Sequence, residues 1–340
     1  MTQAANQQSS GHAQVAQYSV KQTLSQDAPE AMMIHGGADP NGLYVPPVVP
    51  HYVFTREFLR ELAGWWQSKH IVFQGLSLVG PPGSGKTKGV TQFCHALNIP
   101  MYEVNAEDGM EFKDLVVHHE NVGGQWVAQY GPLPLAMGAG GQPGILLINE
   151  PNVARPSVLT GLYEVIEGRP LLIPEIGGQV VRSNPEMFGI VVTANTGLSQ
   201  GDNMGLYPGV QSQSIAFADR FWTIETDYPA PEIEEAILEA VVPQLDETIR
   251  KTMVSVANQI RPLFMGAAMA DASVAGRLDV TLSTRSLVSW AHGTWLYRGA
   301  VNEGINPVFL ALDGALLRGQ SPETREAVTE IVRNVFGEDK

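Results

Sequence analysis

Gly80-Pro81-Pro82-Gly83-Ser84-Gly85-Lys86-Thr87 has the spacing GxxxxGK[ST]. Its glycines free backbone N–H groups to face a polyphosphate, while the lysine and threonine supply an ammonium and a hydroxyl. Leu76, Leu78 and Val79 lead into this run, and Val90, Phe93, Cys94 and Leu97 follow it at helical spacing. A strand, a glycine loop and a helix N-terminus in that order make a phosphate site, with Lys86 directed at the β and γ phosphates and the Thr87 hydroxyl at Mg²⁺. Average residue usage would produce the four fixed positions in a chain of this length roughly one time in a hundred. The flanking patterns make a plain glycine-rich turn a poor alternative.

Further chemistry lies at the ends of two other apolar runs. Ile145-Leu146-Leu147-Ile148-Asn149-Glu150 reads as a buried strand whose polar residues emerge at its carboxyl end, the edge where open α/β sheets bind ligands. Phosphate-loop ATPases carry Asp then Glu there, the first holding Mg²⁺ and the second orienting the attacking water. Asn149 replaces the Asp with a neutral amide, so weaker Mg²⁺ affinity is expected, and an Asp at 149 is expected to lower the Mg²⁺ requirement. Asn195, after Gly189 to Ala194, is placed to hydrogen-bond a γ-phosphate or the attacking water, although an asparagine there is also a common turn former. Arg220 and Arg285 are candidates for neutralising charge on a transferred phosphoryl group; neither is diagnostic by itself. His118-His119-Glu120 looks like a metal cluster, but adjacent strand residues face opposite ways, so a solvated hairpin is expected. Trp65, Trp66, Trp290 and Trp295 are expected in packing.

The elements that must position these residues alternate. Short apolar runs at Leu76–Val79, Met101–Val104, Ile145–Ile148, Ile190–Thr193 and Phe221–Glu225 separate helical patterns, the rhythm of a parallel α/β sheet. Phe58, Leu59, Leu62 and Trp65 share a helical face before the first strand, and Val158, Leu159, Leu162, Val165 and Ile166 form another stripe behind Pro156. Two hairpins are predicted, over 115–129 turning at Gly123-Gly124 and over 171–182 turning at Gly177-Gly178. After Pro229 only helical periodicity remains, over 232–242, 247–269, 283–298, 307–317 and 322–335, which predicts a small all-helical second domain. Residues 1–45 are rich in Gln, Ala, Ser and Gly and read as a flexible tail.

Composition narrows the classes. The chain has 340 residues, 44% of them hydrophobic and 16% charged, and no apolar run approaches membrane-spanning length. The polar opening residues lack the pattern of a secretory leader, and Cys94 is the single cysteine, so a reducing cytoplasm is expected. A net charge of −14 disfavours a broad nucleic-acid footprint.

Taken in order, GPPGSGKT, LLINE, TANT, Asp219-Arg220-Phe221 and Ser283-Thr284-Arg285 resemble an AAA+ ATPase of the MoxR group, over about residues 45–335. The stretch Gly205 to Gln211 leading to Asp219-Arg220, the helix end Leu162 to Arg169 and the entry Val53-Phe54-Thr55-Arg56 are similar to the CobS type, the ATPase subunit of aerobic cobaltochelatase. The resemblance implies an α/β nucleotide-binding core over 46–228, its parallel five-stranded sheet ordered 5-1-4-3-2 with hairpin insertions, and a helical lid over 229–340. It implies ATP and Mg²⁺ as cofactors. Gly80, Pro81, Pro82, Gly83, Ser84, Gly85, Lys86 and Thr87 would form Walker A, and Asn149 with Glu150 Walker B. Asn195 would be sensor 1, Arg220 an arginine finger acting on the neighbouring subunit's nucleotide, and Arg285 sensor 2, with Thr87 and Asn149 at the metal. A homo-oligomeric ring, usually of six, and a protein partner, commonly with a von Willebrand A domain, follow from the resemblance. It leaves three alternatives to a protein-remodelling motor: a cobaltochelatase subunit driving metal insertion into a corrin, a nucleotide-gated scaffold with slow hydrolysis, and a nucleic-acid motor, which the charge disfavours.

Overall fold

The computed structural model describes residues 15–200, 209–265 and 278–337. Its first element corrects the expectation of a flexible tail through residue 45. Strands β1 (Val15–Ser19) and β2 (Met33–Gly37) pair antiparallel, Val15 opposite Gly37 and Ser19 opposite Met33. A few anchors outweigh the polar composition around them. Val20 and Ile34 are buried in one cluster with Trp66, Phe93 and Leu97; Trp66 Nε1 donates to His35 O at 2.9 Å and the Gly37 N–H to Leu97 O at 2.9 Å. Gly36 has no room for a Cβ, which would collide with Leu97 O.

Helix α1 (Arg56–Val72) starts where Thr55 Oγ1 accepts from Phe58 N, carries Glu57 in its first turn and Lys69 in its last, and ends on Phe73 in the left-handed region at φ +51°. Its buried face presents Leu59, Leu62, Trp65 and Trp66. Then come β3 (Gly75–Val79), α2 (Lys86–Ala96), β4 (Met101–Asn105), a hairpin of β5 (Val117–Val122) and β6 (Gln125–Tyr130), and β7 (Ile145–Asn149). A second hairpin, β8 (Leu171–Ile173) and β9 (Gln179–Val181), precedes β10 (Gly189–Ala194) and β11 (Phe221–Glu225). Glycines with positive φ turn both hairpins, and Trp126 on the first is 72% exposed. The stripe behind Pro156 is two short helices, Pro156–Thr160 and Tyr163–Ile166, parted at Gly161, where the Phe112 ring occupies the space a Cβ would need.

The central sheet runs β11-β3-β10-β7-β4, every pair parallel. In sequence order of its strands this is 5-1-4-3-2, as expected. Strand alternation sends Leu146, Ile148, Ile190 and Val192 into the cluster on one face, and Ile145, Leu147, Val191, Leu76 and Leu78 into that on the other.

Among the described residues the α-helices that follow are α3 (Pro231–Val241), α4 (Glu247–Met265), α5 (Thr284–Leu296), α6 (Pro307–Leu312) and α7 (Pro322–Phe336). Ser283, Asn306 and Ser321 cap the last three through side-chain oxygens. Leu238, Met253, Ile260, Trp290, Leu312 and Val328 form a separate buried cluster. The expected helix over 247–269 runs past Met265 and the Gly205–Gln211 stretch begins before residue 209, so part of each lies outside the described residues.

Deleting residues 1–37 exposes the surfaces that Val20 and Ile34 cover, each worth about 1.5–3 kcal/mol of burial. The melting temperature is expected to fall by about 5 °C or more, measured by circular dichroism; removing a flexible tail would leave it unchanged.

Candidate functional site

Unslipped parallel pairing lines up the carboxyl ends of the strands. Asn105, Asn149 and Thr193 form one row across β4, β7 and β10, and Ala194, Val79 and Glu225 form another across β10, β3 and β11. The glycine loop leaves β3 at this edge. Gly83 and Gly85 hold φ +75° and +96°, where a side chain would be strained, and a Cβ on Gly83 would stand 2.6 Å from Ser283 Cβ.

Lys86, 8% exposed, turns back into the loop. Its Nζ donates to Gly80 O at 2.7 Å, Pro81 O at 2.9 Å and Asn195 Oδ1 at 3.1 Å. Asn195 Nδ2 in turn donates to Glu150 Oε1 at 3.1 Å. Burial pushes the Lys86 ammonium down to about 8; the Glu150 charge opposes this and the Arg285 charge adds to it. Burial also lifts the Glu150 carboxyl above the usual carboxylate range, against the pull of Lys86 and the Asn195 hydrogen bond. Glu150 holds φ +52°, ψ +50°, unusual for a residue with a side chain, and its N–H is anchored to Thr193 O at 2.8 Å. The strained backbone re-aims the side chain where the strand ends.

Asn149 sits at the centre of the other row with every hydrogen-bonding position of its amide used. Its Oδ1 accepts from Thr87 Oγ1 at 2.9 Å and Thr193 Oγ1 at 2.8 Å. Its Nδ2 donates to Glu103 Oε1 at 2.6 Å and Asn105 Oδ1 at 3.0 Å. The groups around Thr87 are oxygen donors, which suit a hard cation such as Mg²⁺.

The linker after β11 and the first turn of α5 reach the same loop. Tyr228 OH donates to Pro82 O at 3.0 Å, and the hydroxyls of Ser84 and Thr226 lie 3.2 Å apart. Arg285 stands in the first turn of α5, close enough for its charge to act on Lys86. A buried ion pair fixes that turn: the Arg261 guanidinium meets Glu234 through two contacts of 2.7 Å, its Nε donates to Leu282 O at 2.9 Å, and Thr284 Oγ1 donates to Glu234 Oε1 at 2.6 Å.

Lys86, Asn195 and Glu150 are thus joined by hydrogen bonds, as are Thr87 and Asn149, with Arg285 electrostatically linked to Lys86. Arg220 stands apart. Its carbonyl accepts from Gly75 N at 3.0 Å, at the start of β3, whereas the glycine loop leaves the far end of that five-residue strand, about 17 Å away along the chain. Its guanidinium binds Glu167 Oε1 at 2.6 Å and lies 4.3 Å from the Tyr163 ring centroid. His118, His119 and Glu120 are exposed on β5, and Trp65, Trp66 and Trp290 are buried. Sequence reasoning passed over Glu103, Asn105, Thr193 and Tyr228. A polar residue at the end of the second strand, level with those ending the third and fourth, was the available signal for Asn105.

The chain matches the AAA domain of the dynein-related subfamily over residues 75–221 and the CbbQ/NirQ/NorQ C-terminal domain over 234–335. Protein CbbQ of Hydrogenophilus thermoluteolus is 28% identical over 266 residues, 77% of this chain and 87% of that protein. The denitrification regulatory protein NirQ of Stutzerimonas stutzeri is 32% identical over 185 residues, 54% of this chain and 62% of that protein. Together the two domain matches indicate a MoxR-like AAA+ ATPase, and the AAA domain supports ATP hydrolysis.

Replacing Arg261 with Met strands the Glu234 carboxylate in the interior, a loss of about 3–5 kcal/mol. Arg261→Met combined with Glu234→Leu is expected to recover most of it, as measured by urea unfolding.

Proposed function

We propose that this chain binds Mg²⁺-ATP in the glycine loop and hydrolyses it within a homo-oligomeric ring, using the energy to remodel a protein partner. The observation that carries the reading is the hydrogen-bonded relay Lys86–Asn195–Glu150 at the sheet edge where the loop begins. A polyphosphate in the loop would take the Lys86 ammonium away from Gly80 O and Pro81 O, and the phosphate charge would offset the cost of burying that cation. Asn195, bonded to both Lys86 and Glu150, is placed to sense the γ-phosphate and hold the carboxylate. Glu150 then orients the attacking water, its raised pKa bringing it nearer to a general base. Thr87 and Asn149 would hold the metal, whose chemistry is to neutralise charge on the phosphate oxygens.

Arg220 cannot serve the loop of its own chain across the length of β3. Its position supports action on a neighbour's nucleotide, the geometry of a ring in which each site is completed by the adjoining subunit. Ser283 and Arg285 face the loop from the helical region and Tyr228 contacts it from the linker leading there, which supports transmission of the nucleotide state to that region. The relative's printed name, a denitrification regulatory protein, supports a regulatory role over a corrin-directed one. A partner with a von Willebrand A domain and a six-membered ring are part of this proposal.

Glu150→Gln is expected to lower ATP turnover at least 100-fold, within the range for a group activating the nucleophile, while ATP binding by calorimetry persists. Loss of binding as well would count against the assigned role. Arg220→Ala is expected to reduce turnover by about 10³-fold, and mixing it with Lys86→Ala subunits should restore part of the rate. Failure of the mixture to regain activity would place the whole site within one chain.

A further inference from the structure

The amide at 149 removes a negative charge from the place where phosphate-loop ATPases keep one, yet a carboxylate stands directly behind it. Glu103 Oε1 accepts from Asn149 Nδ2 at 2.6 Å, a short hydrogen bond to a carboxylate. Glu103 and Asn105 lie two residues apart on β4 and so project from the same face; together they take both N–H groups of the Asn149 amide. That fixes the flip of the amide. Its oxygen must face Thr87 and Thr193, with both hydroxyls donating to it.

We propose that Glu103 is a positioning residue of the metal–nucleotide site: it orients the Asn149 amide oxygen toward Thr87 and supplies, one hydrogen bond away, the negative charge that an Asp at 149 would carry. This rests on the nucleotide reading of the site. A carboxylate hydrogen-bonded to the amide N–H draws the amide dipole toward itself and makes Oδ1 a stronger acceptor for a metal-bound water. Its charge also adds attraction for a divalent cation, moderated by the solvent exposure of Glu103. The arrangement changes what an aspartate at 149 would do. With Glu103 in place, Asn149→Asp brings two carboxylates within hydrogen-bond distance and removes the donor that joined them, so like-charge repulsion opposes the gain expected from sequence.

The test uses the full chain and a fluorescent ATP analogue, titrated in excess Mg²⁺ and again in EDTA; the ratio of the two dissociation constants measures the Mg²⁺-dependent gain without reference to turnover. Glu103→Gln keeps an acceptor for the amide and removes the charge. It is expected to cut the gain by about three- to tenfold while leaving the EDTA affinity within about twofold of the parent. Asn149→Asp alone is expected to lower the melting temperature of the nucleotide-free protein, and adding Glu103→Gln to restore it and raise the gain above the parent's. An unchanged gain in Glu103→Gln, or an equal effect of Asn149→Asp with and without Glu103→Gln, would overturn the proposal. A parent that binds the analogue without any Mg²⁺-dependent gain would overturn the underlying metal–nucleotide reading, and this one with it.

Discussion

Unslipped parallel pairing of the five central strands is the constraint on which everything else depends. Parallel pairing ends all the strands at one edge, and the register then decides which side chains stand side by side there. Asn105, Asn149 and Thr193 share a row because β4, β7 and β10 pair without offset. A slip of one residue in any of them would turn its side chains to the opposite face. Burial on both faces of the sheet prevents that, since each strand sends alternate apolar residues into two different clusters.

Charge is concentrated at that edge and poorly solvated. Lys86 and Glu150 are both buried enough for their charged forms to be disfavoured, and Asn195 bridges them without an intervening ion pair. A site so arranged favours a ligand that brings its own negative charge and several acceptor atoms. The linker to the helical region and that region itself both take part: Tyr228 OH donates to Pro82 O, and Ser283 packs where a larger residue than Gly83 could not fit. The Arg261–Glu234 pair is buried behind Tyr228, its guanidinium 4.1 Å from the ring whose hydroxyl donates to Pro82 O, and its consequence is geometric. It ties α3, α4 and the first turn of α5 together, so the turn bearing Arg285 is held in one place relative to those helices.

Arg220 marks a division within the molecule. The loop lies at one end of β3 and Arg220 at the other, bound to Glu167 and packed on Tyr163. One strand therefore separates the glycine loop from the surface proposed to act on a neighbouring subunit.

Much of this was legible in the linear chain. The glycine loop, the apolar runs and their polar carboxyl ends are local patterns, set by backbone sterics and by strand and helix periodicity, so they identified the sheet, its strand order by resemblance, and Lys86, Thr87, Asn149, Glu150 and Asn195 as candidates. The hairpin at residues 15–37 escaped notice because its few anchors, Val20, Ile34 and Tyr18, are diluted by polar neighbours and find their partners on α1, α2 and the turn after α2, distant in sequence. Glu103 escaped for a related reason: a lone acidic residue in an apolar run carries no signal until strand pairing sets it beside Asn149, 46 positions away. Local sequence determined which elements form and which groups could handle phosphate. Only the packed structure decided which of those groups touch, because hydrogen bonds and charges act over a few ångströms of space and take no account of separation along the chain.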